Sequence, residues 1–265
     1  MNNASRAAGF TLIAIAATWG LLALMEPFNA DLAPATCTTT HCFCENPRIG
    51  SLFLQPSNSW SSFGYVFVGF FLMLDAHSRR ATTAFPIEGA IMFGIGAITV
   101  GIGSVLLHAT LTLWGQFADV LGMYLVSGFT LVYALAKICG LDRAKTATLY
   151  IVVCAALVTV LLISPESRRW LFFAALLTSL ILEIAFARPL RPSVILPYLL
   201  LGALVKAIGF GIWVLDQNLT LCAPDSLIQG HAFWHFCGAA SLWLTYCYFR
   251  SERPAQMVDK GRPSA

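Results

Sequence analysis

The chain has five histidines, and two of them, His231 and His235 in GHAFWH, stand at i and i+4. On a helix that spacing puts both rings on one face about a turn apart. Two neutral imidazoles so placed suit a shared metal ion, zinc above all. Ser104 and His108 repeat the spacing in GSVLLHAT, and Asp119 follows in the next apolar stretch. Ionisable residues within apolar spans are expensive and by default suggest a functional site, here a candidate metal site. Each residue also has a plainer role. An interfacial histidine is often just a polar residue, serine eases helix packing, and aspartate is favoured at a helix N-terminus. Joint placement decides between the two readings.

That placement is set by membrane spans. The chain has 265 residues, is 58% apolar and only 11% charged, against about a quarter charged in soluble domains. Its mean hydropathy is +0.74. Apolar stretches of the length needed to cross a bilayer recur at 8–25, 59–75, 86–109, 117–137, 146–163, 169–187, 194–215 and 228–249. The expected fold is all-α: a polytopic transmembrane helix bundle with eight predicted spans. Residues 1–250 form a single membrane domain, and 251–265 read as a disordered cytoplasmic tail. Arg6 followed by an apolar run and small residues near Ala33 and Ala35 also fits a secretory signal, but a retained first helix is preferred. No internal repeat is evident. The net charge of +3 is spread in short clusters that orient a membrane protein and give no support to nucleic-acid binding.

Twelve cationic residues fall on one side of this topology: Arg6, Arg79, Arg80, Lys137, Arg143, Lys145, Arg188, Arg191, Arg250, Arg253, Lys260 and Arg262. Three, Arg48, Arg168 and Arg169, fall on the other. The positive-inside rule then puts both termini in the cytoplasm. With that orientation the third span ends outside at His108, the fourth begins outside near Asp119, and the eighth begins outside at His231 and His235. Asn58 and Ser62 open the second span at the same depth. Residues distant in sequence thus share one layer on the periplasmic or lumenal side, which favours a metal site over chance. Cys37, Cys42, Cys44 and Cys222 fall in outer loops, where an oxidising compartment lets them pair. Cys44 with Cys222 is expected, leaving Cys37 with Cys42. A second metal site at His41, Cys42 and Cys44 is less favoured, because those cysteines already make two disulfides. Lys206 and Glu183 lie within spans without an assigned role; pairing across helices or snorkelling would each suffice.

GIGSVLLHATLTLWGQFADVLGMY, GHAFWH and PSNSWSSFGY, in their order along the chain, resemble the motifs of the alkaline ceramidases. The wider superfamily includes adipokine-receptor-like proteins and GPI-remodelling lipases. The resemblance covers roughly residues 44–249 and implies a seven-helix core, here preceded by an extra N-terminal helix. It implies zinc held by His108, His231 and His235, with Ser104 and Asp119 beside the water to be activated and Asn58 and Ser62 supporting the site. The implied activity is hydrolysis of the amide bond of ceramide-like membrane lipids to sphingoid base and fatty acid. Ceramidases also hold calcium near the zinc with an acidic N-terminal loop. Here CENPRIGSLFLQPSN offers Glu45, with Asn46 and Gln55 as neutral donors, which is thin for an ion that takes six or more oxygens. Two alternatives share the motif: an ester lipase acting on phospholipid or GPI anchors, and a zinc-containing, adipokine-receptor-like binding protein. A retained base at Asp119 and an open metal position favour an enzyme.

Overall fold

The computed structural model describes residues 2–38 and 42–254. It is all-α, with eight long helices: α1 (Asn3–Met25), α2 (Pro56–Arg79), α3 (Ile87–Thr110), α4 (Leu113–Cys139), α5 (Arg143–Ile163), α6 (Arg168–Leu182), α7 (Leu196–Gln217) and α8 (Gly230–Arg250). Short polar side chains set several of the starts. Asn2, Thr112 and Asp142 each accept a hydrogen bond from the backbone N–H three residues on, of Ser5, Gly115 and Lys145, which satisfies one of the orphan donors at a helix N-terminus. Pro56 opens α2, where the missing N–H costs nothing. Gly140 closes α4 with a left-handed φ of 61°, the conformation that commonly ends a helix.

Stretches containing α1 to α7 are long and apolar enough to cross a membrane, and the protein is an integral, multi-pass membrane protein. Exposed apolar side chains such as Leu12 and Ile13 on α1, Ile151 and Leu162 on α5 and Leu204 on α7 face lipid, as bilayer-spanning helices require. The expected eighth span is not supported. Over its 21 residues, α8 carries His231, His235, Ser241 and Thr245 and ends in Arg250, which lowers its apolar content. It is instead heavily buried, packed against α7 and α2. The helix itself is where the sequence puts it.

The connection between α3 and α4 is two residues, Leu111 and Thr112. Leu111 takes a left-handed φ of 50°, uncommon for a residue with a Cβ. A segment preceding α2 holds this corner in place: Ala35 N–H donates to the Leu111 carbonyl at 2.8 Å, and Leu113 N–H to Ala33 at 2.8 Å. The two helices then meet backbone to backbone. A Cβ on Gly103 would run into the Ala118 carbonyl and the Asp119 nitrogen, so only glycine there lets Ser104 come up beside Asp119.

At the opposite end of the bundle, buried charges are paired, as desolvation demands. Asp75 accepts from Arg250 and, at 3.0 Å, from both Arg79 and Tyr246. Glu183 pairs with Arg191 and accepts from Tyr248 at 2.6 Å, which gives this intramembrane carboxylate a structural partner. Glu252 pairs with Lys137 at 2.8 Å and Arg191 at 3.3 Å, and its carbonyl accepts from Ala84 N–H at 2.8 Å. The start of the expected tail is therefore packed rather than loose. Residues 255–265 lie outside the described residues.

Candidate metal centre

Two helices bring three histidines together at one end of the bundle. His108 closes α3, His231 and His235 open α8, and all three rings are buried. One nitrogen from each lies within 4.8 Å of the others. The Nε2 atoms of His108 and His231 are 3.2 Å apart. Two nitrogens bound to one tetrahedral zinc at 2.0–2.1 Å sit about 3.3 Å from each other, so the spacing suits shared coordination.

Hydrogen bonds fix which nitrogens are free. The Gln55 amide donates from Nε2 to the Glu45 carbonyl at 2.8 Å, so its Oε1 faces His108 Nδ1, also at 2.8 Å. An oxygen there accepts, which puts the ring proton on Nδ1 and leaves Nε2 with its lone pair. Ser61 and Ser62 each donate to the Asn58 carbonyl, at 3.0 and 2.7 Å. Their oxygens are then free to accept from His235 Nδ1, at 2.8 and 3.2 Å, and Nε2 of His235 is bare in turn. His231 Nδ1 is buried with no partner among the described residues. Lone pairs aimed at one point, with the His108 and His235 rings steered from their far nitrogens, resemble the way metal-ligating histidines are oriented. Neutral imidazoles with no thiolate suit zinc.

Two buried carboxylates hold the helices that bear these ligands. Glu45 accepts from the backbone N–H groups of Ser57 at 2.8 Å and Asn58 at 2.9 Å, capping α2. Asp216, at the end of α7, accepts from the N–H of His231 at 3.2 Å and of Cys44 at 3.3 Å, capping α8. Charge-assisted bonds at helix N-termini are favourable both for the orphan donors and for the dipole. The expectation of a second cation among Glu45, Asn46 and Gln55 meets these commitments. Both Glu45 oxygens and the Gln55 oxygen are taken, and Asn46 turns its amide to Asp225 at 3.1 Å. The three histidines are the one such metal-ligand cluster among the described residues, and His41 lies outside them.

Ser104 approaches His235 Nε2 at 3.3 Å, and Asp119 and Arg168 line the same cavity as Ser104. Ser104, Asp119, His231 and His235 form the polar head of a cavity whose walls are largely apolar, among them Val100, Val120, Val126, Phe172 and Leu242. Over the head lies Phe43, its ring centroid 4.5 Å from His108 and 4.3 Å from His231. The residues on either side of Phe43 are both in disulfides, Cys37–Cys42 and Cys44–Cys222, the pairing expected from the outer-loop positions. A ceramidase family model matches residues 35–260. The chain belongs to the ceramidase family. No curated protein matches it individually. Within this ceramidase-family chain, α1 precedes the matched region, consistent with an extra helix on a seven-helix core.

Sequence reasoning brought together His108, His231, His235, Ser104, Asp119 and Ser62, and the structure places all six at one site. Asn58 contributes its backbone carbonyl, while its buried side-chain amide has no hydrogen-bond partner among the described residues. Ser61, Asp216 and Phe43 were missed. Ser61 carried a signal, since it stands beside Ser62 on the helix that meets α8. Asp216 and Phe43 carried none, because their placement depends on how loops fold back over the helix ends.

Proposed function

We propose that this protein is a zinc-dependent intramembrane hydrolase that cleaves the amide bond of ceramide-like lipids. The observation that carries the reading is the convergence of three buried imidazole nitrogens with a serine and an aspartate at the polar head of an apolar cavity. Family membership supports the amide as the bond attacked. His108, His231 and His235 would hold a zinc ion, which when bound would supply a Lewis acid and lower the pKa of water at its open position. Asp119, within the same cavity, accepts a proton from the attacking water and later gives it to the leaving amine. The Ser104 hydroxyl donates to the oxygen of the amide carbonyl as charge builds on it. Apolar walls hold the acyl chain and keep bulk water from the reacting atoms. With the cation-rich loops on the cytoplasmic side, this chemistry takes place near the periplasmic or lumenal face.

Asp119 separates catalysis from metal binding. Asp119→Asn keeps its shape but cannot accept a proton. Zinc content measured on purified protein should stay near one per chain while turnover of a ceramide falls roughly 10²- to 10⁴-fold, the usual worth of a general base. His108→Ala should lose metal and turnover together. Running a ceramide beside a phospholipid ester, each with and without chelator, distinguishes an amidase from an ester lipase and from a binding protein that cleaves neither. Near-normal turnover in Asp119→Asn would remove Asp119 from this scheme.

A further inference from the structure

Lys206 is the eleventh of the 22 residues of α7, about 15 Å of helix from either end. A four-carbon stem does not span that distance, so snorkelling to an interface does not account for it. Its side chain turns into the cavity instead, on a wall shared with Tyr65, Trp234 and His235. The ammonium lies 4.7 Å from the centroid of a Trp234 ring, a cation–π contact of the kind that holds a charge without neutralising it. None of the ion pairs among the described residues includes Lys206.

Five carboxylates away from the cavity head are engaged elsewhere. Asp75, Glu183 and Glu252 have their own cations, and Glu45 and Asp216 are bound to backbone N–H groups. Asp119 sits at the head of the cavity beside Ser104. An unpaired cation within a span is expensive and marks an ion or substrate path, and no ion pair among the described residues joins Lys206 to Asp119 or to any other carboxylate, which leaves room for a counter-charge brought by a ligand. The cavity defines that ligand further, since Val100, Val126, Phe172 and Leu242 line it with apolar surface suited to an acyl chain. A single anion on an apolar chain meets both demands.

We propose that Lys206, with Trp234 beside it, is a binding station for the carboxylate of a long-chain fatty acid. The proposal rests on the hydrolytic reading above. Adding water across the C–N bond of a lipid amide gives an acid and an amine, and the acid's proton passes to the amine, so each turnover leaves one carboxylate in this cavity. Asp216, ten residues beyond Lys206 on the same helix, holds the backbone of His231. Lys206 is therefore rooted about 15 Å of helix from Asp216 toward the bundle interior, with its ammonium reaching back to Trp234, the neighbour of His235. A carboxylate leaving the polar head toward the membrane interior meets it next.

The test compares oleate with oleyl alcohol, which differ in charge and share a chain, by calorimetric titration of the purified protein in detergent. Metal held by the histidines is common to all the proteins compared. Lys206→Met should weaken oleate binding about 10- to 100-fold, the range expected for a lost charge-assisted hydrogen bond, and leave oleyl alcohol unchanged. Lys206→Arg should keep oleate binding within a few-fold. Unchanged oleate affinity in Lys206→Met would overturn the station, and so would equal loss of both ligands, which would mean a packing effect. Hydrolysis by the wild-type protein is scored separately: oleate held through Lys206 by a protein that cleaves no amide would overturn the proposed activity and leave the station standing.

Discussion

At the scale of single residues, the site works by deciding where protons sit. Gln55 is the clearest case. Its amide is locked by the Glu45 carbonyl, so its oxygen keeps the His108 proton on Nδ1. Gln55→Leu removes that acceptor and leaves a buried imidazole N–H unpaired. Zinc affinity should fall about 10- to 100-fold, the usual cost of losing an outer-shell partner, as measured by competition with a chromogenic chelator. Wild-type affinity in that variant would show that His108 needs no orientation from Gln55. The sequence made Gln55 look like a cation ligand because an amide oxygen near Glu45 has that chemistry. Its actual partner is set by backbone bonds from Leu54 and Gln55 to the end of α3, which no local spacing encodes. The histidines were legible because i, i+4 spacing and span depth are both readable from sequence.

At the scale of elements, the membrane helices follow hydropathy closely, and the departures have physical causes. The segment predicted over 59–75 begins earlier, at Pro56, because the N-terminus of α2 is polar and held by protein rather than lipid. α8 falls short of a span in composition because the face it turns to the bundle is the site itself. Helix starts near the metal centre depend on carboxylates distant in sequence, and these were not legible. Glu45 is the one that can be tested. Glu45→Gln replaces one of two charged acceptors with an amide N–H₂ facing a backbone N–H. Leaving one buried donor unpaired costs about 1–3 kcal/mol, so the thermal midpoint should drop by several degrees and zinc should be held less firmly, since α2 carries Ser61 and Ser62. Added calcium should leave the wild-type midpoint where it was, because both Glu45 oxygens are engaged. A midpoint that rises with calcium in the wild type but not in Glu45→Gln would instead make Glu45 a ligand of a second cation.

At the scale of the whole molecule, the metal centre is tied together from parts of the chain that begin at Phe43 and end at His235, and the tie is covalent. Cys44–Cys222 joins the loop before α2 to the loop after α7 across a sequence separation of 178. Cys44 also donates its N–H to Asp216, whose other oxygen holds the N–H of His231. Cys42, on the far side of Phe43, is bonded to Cys37. Phe43 is thus fixed over two of the three histidines by bridges at both flanks. Closing so long a loop restricts the unfolded chain, and loss of a native bridge typically costs about 2–5 kcal/mol. A second consequence is local, because freeing Cys44 releases the backbone that holds Asp216 in position to cap α8. The double variant Cys44→Ala/Cys222→Ala should therefore show a lower thermal midpoint and faster loss of zinc to a chelator. Cys37→Ala/Cys42→Ala, whose loop spans a separation of only 5, should lose less stability while still exposing the centre by loosening Phe43. Chelation rates and melting curves on the two variants distinguish these effects. Equal destabilisation with unchanged metal release would confine both bridges to holding the loops and leave the metal centre independent of them.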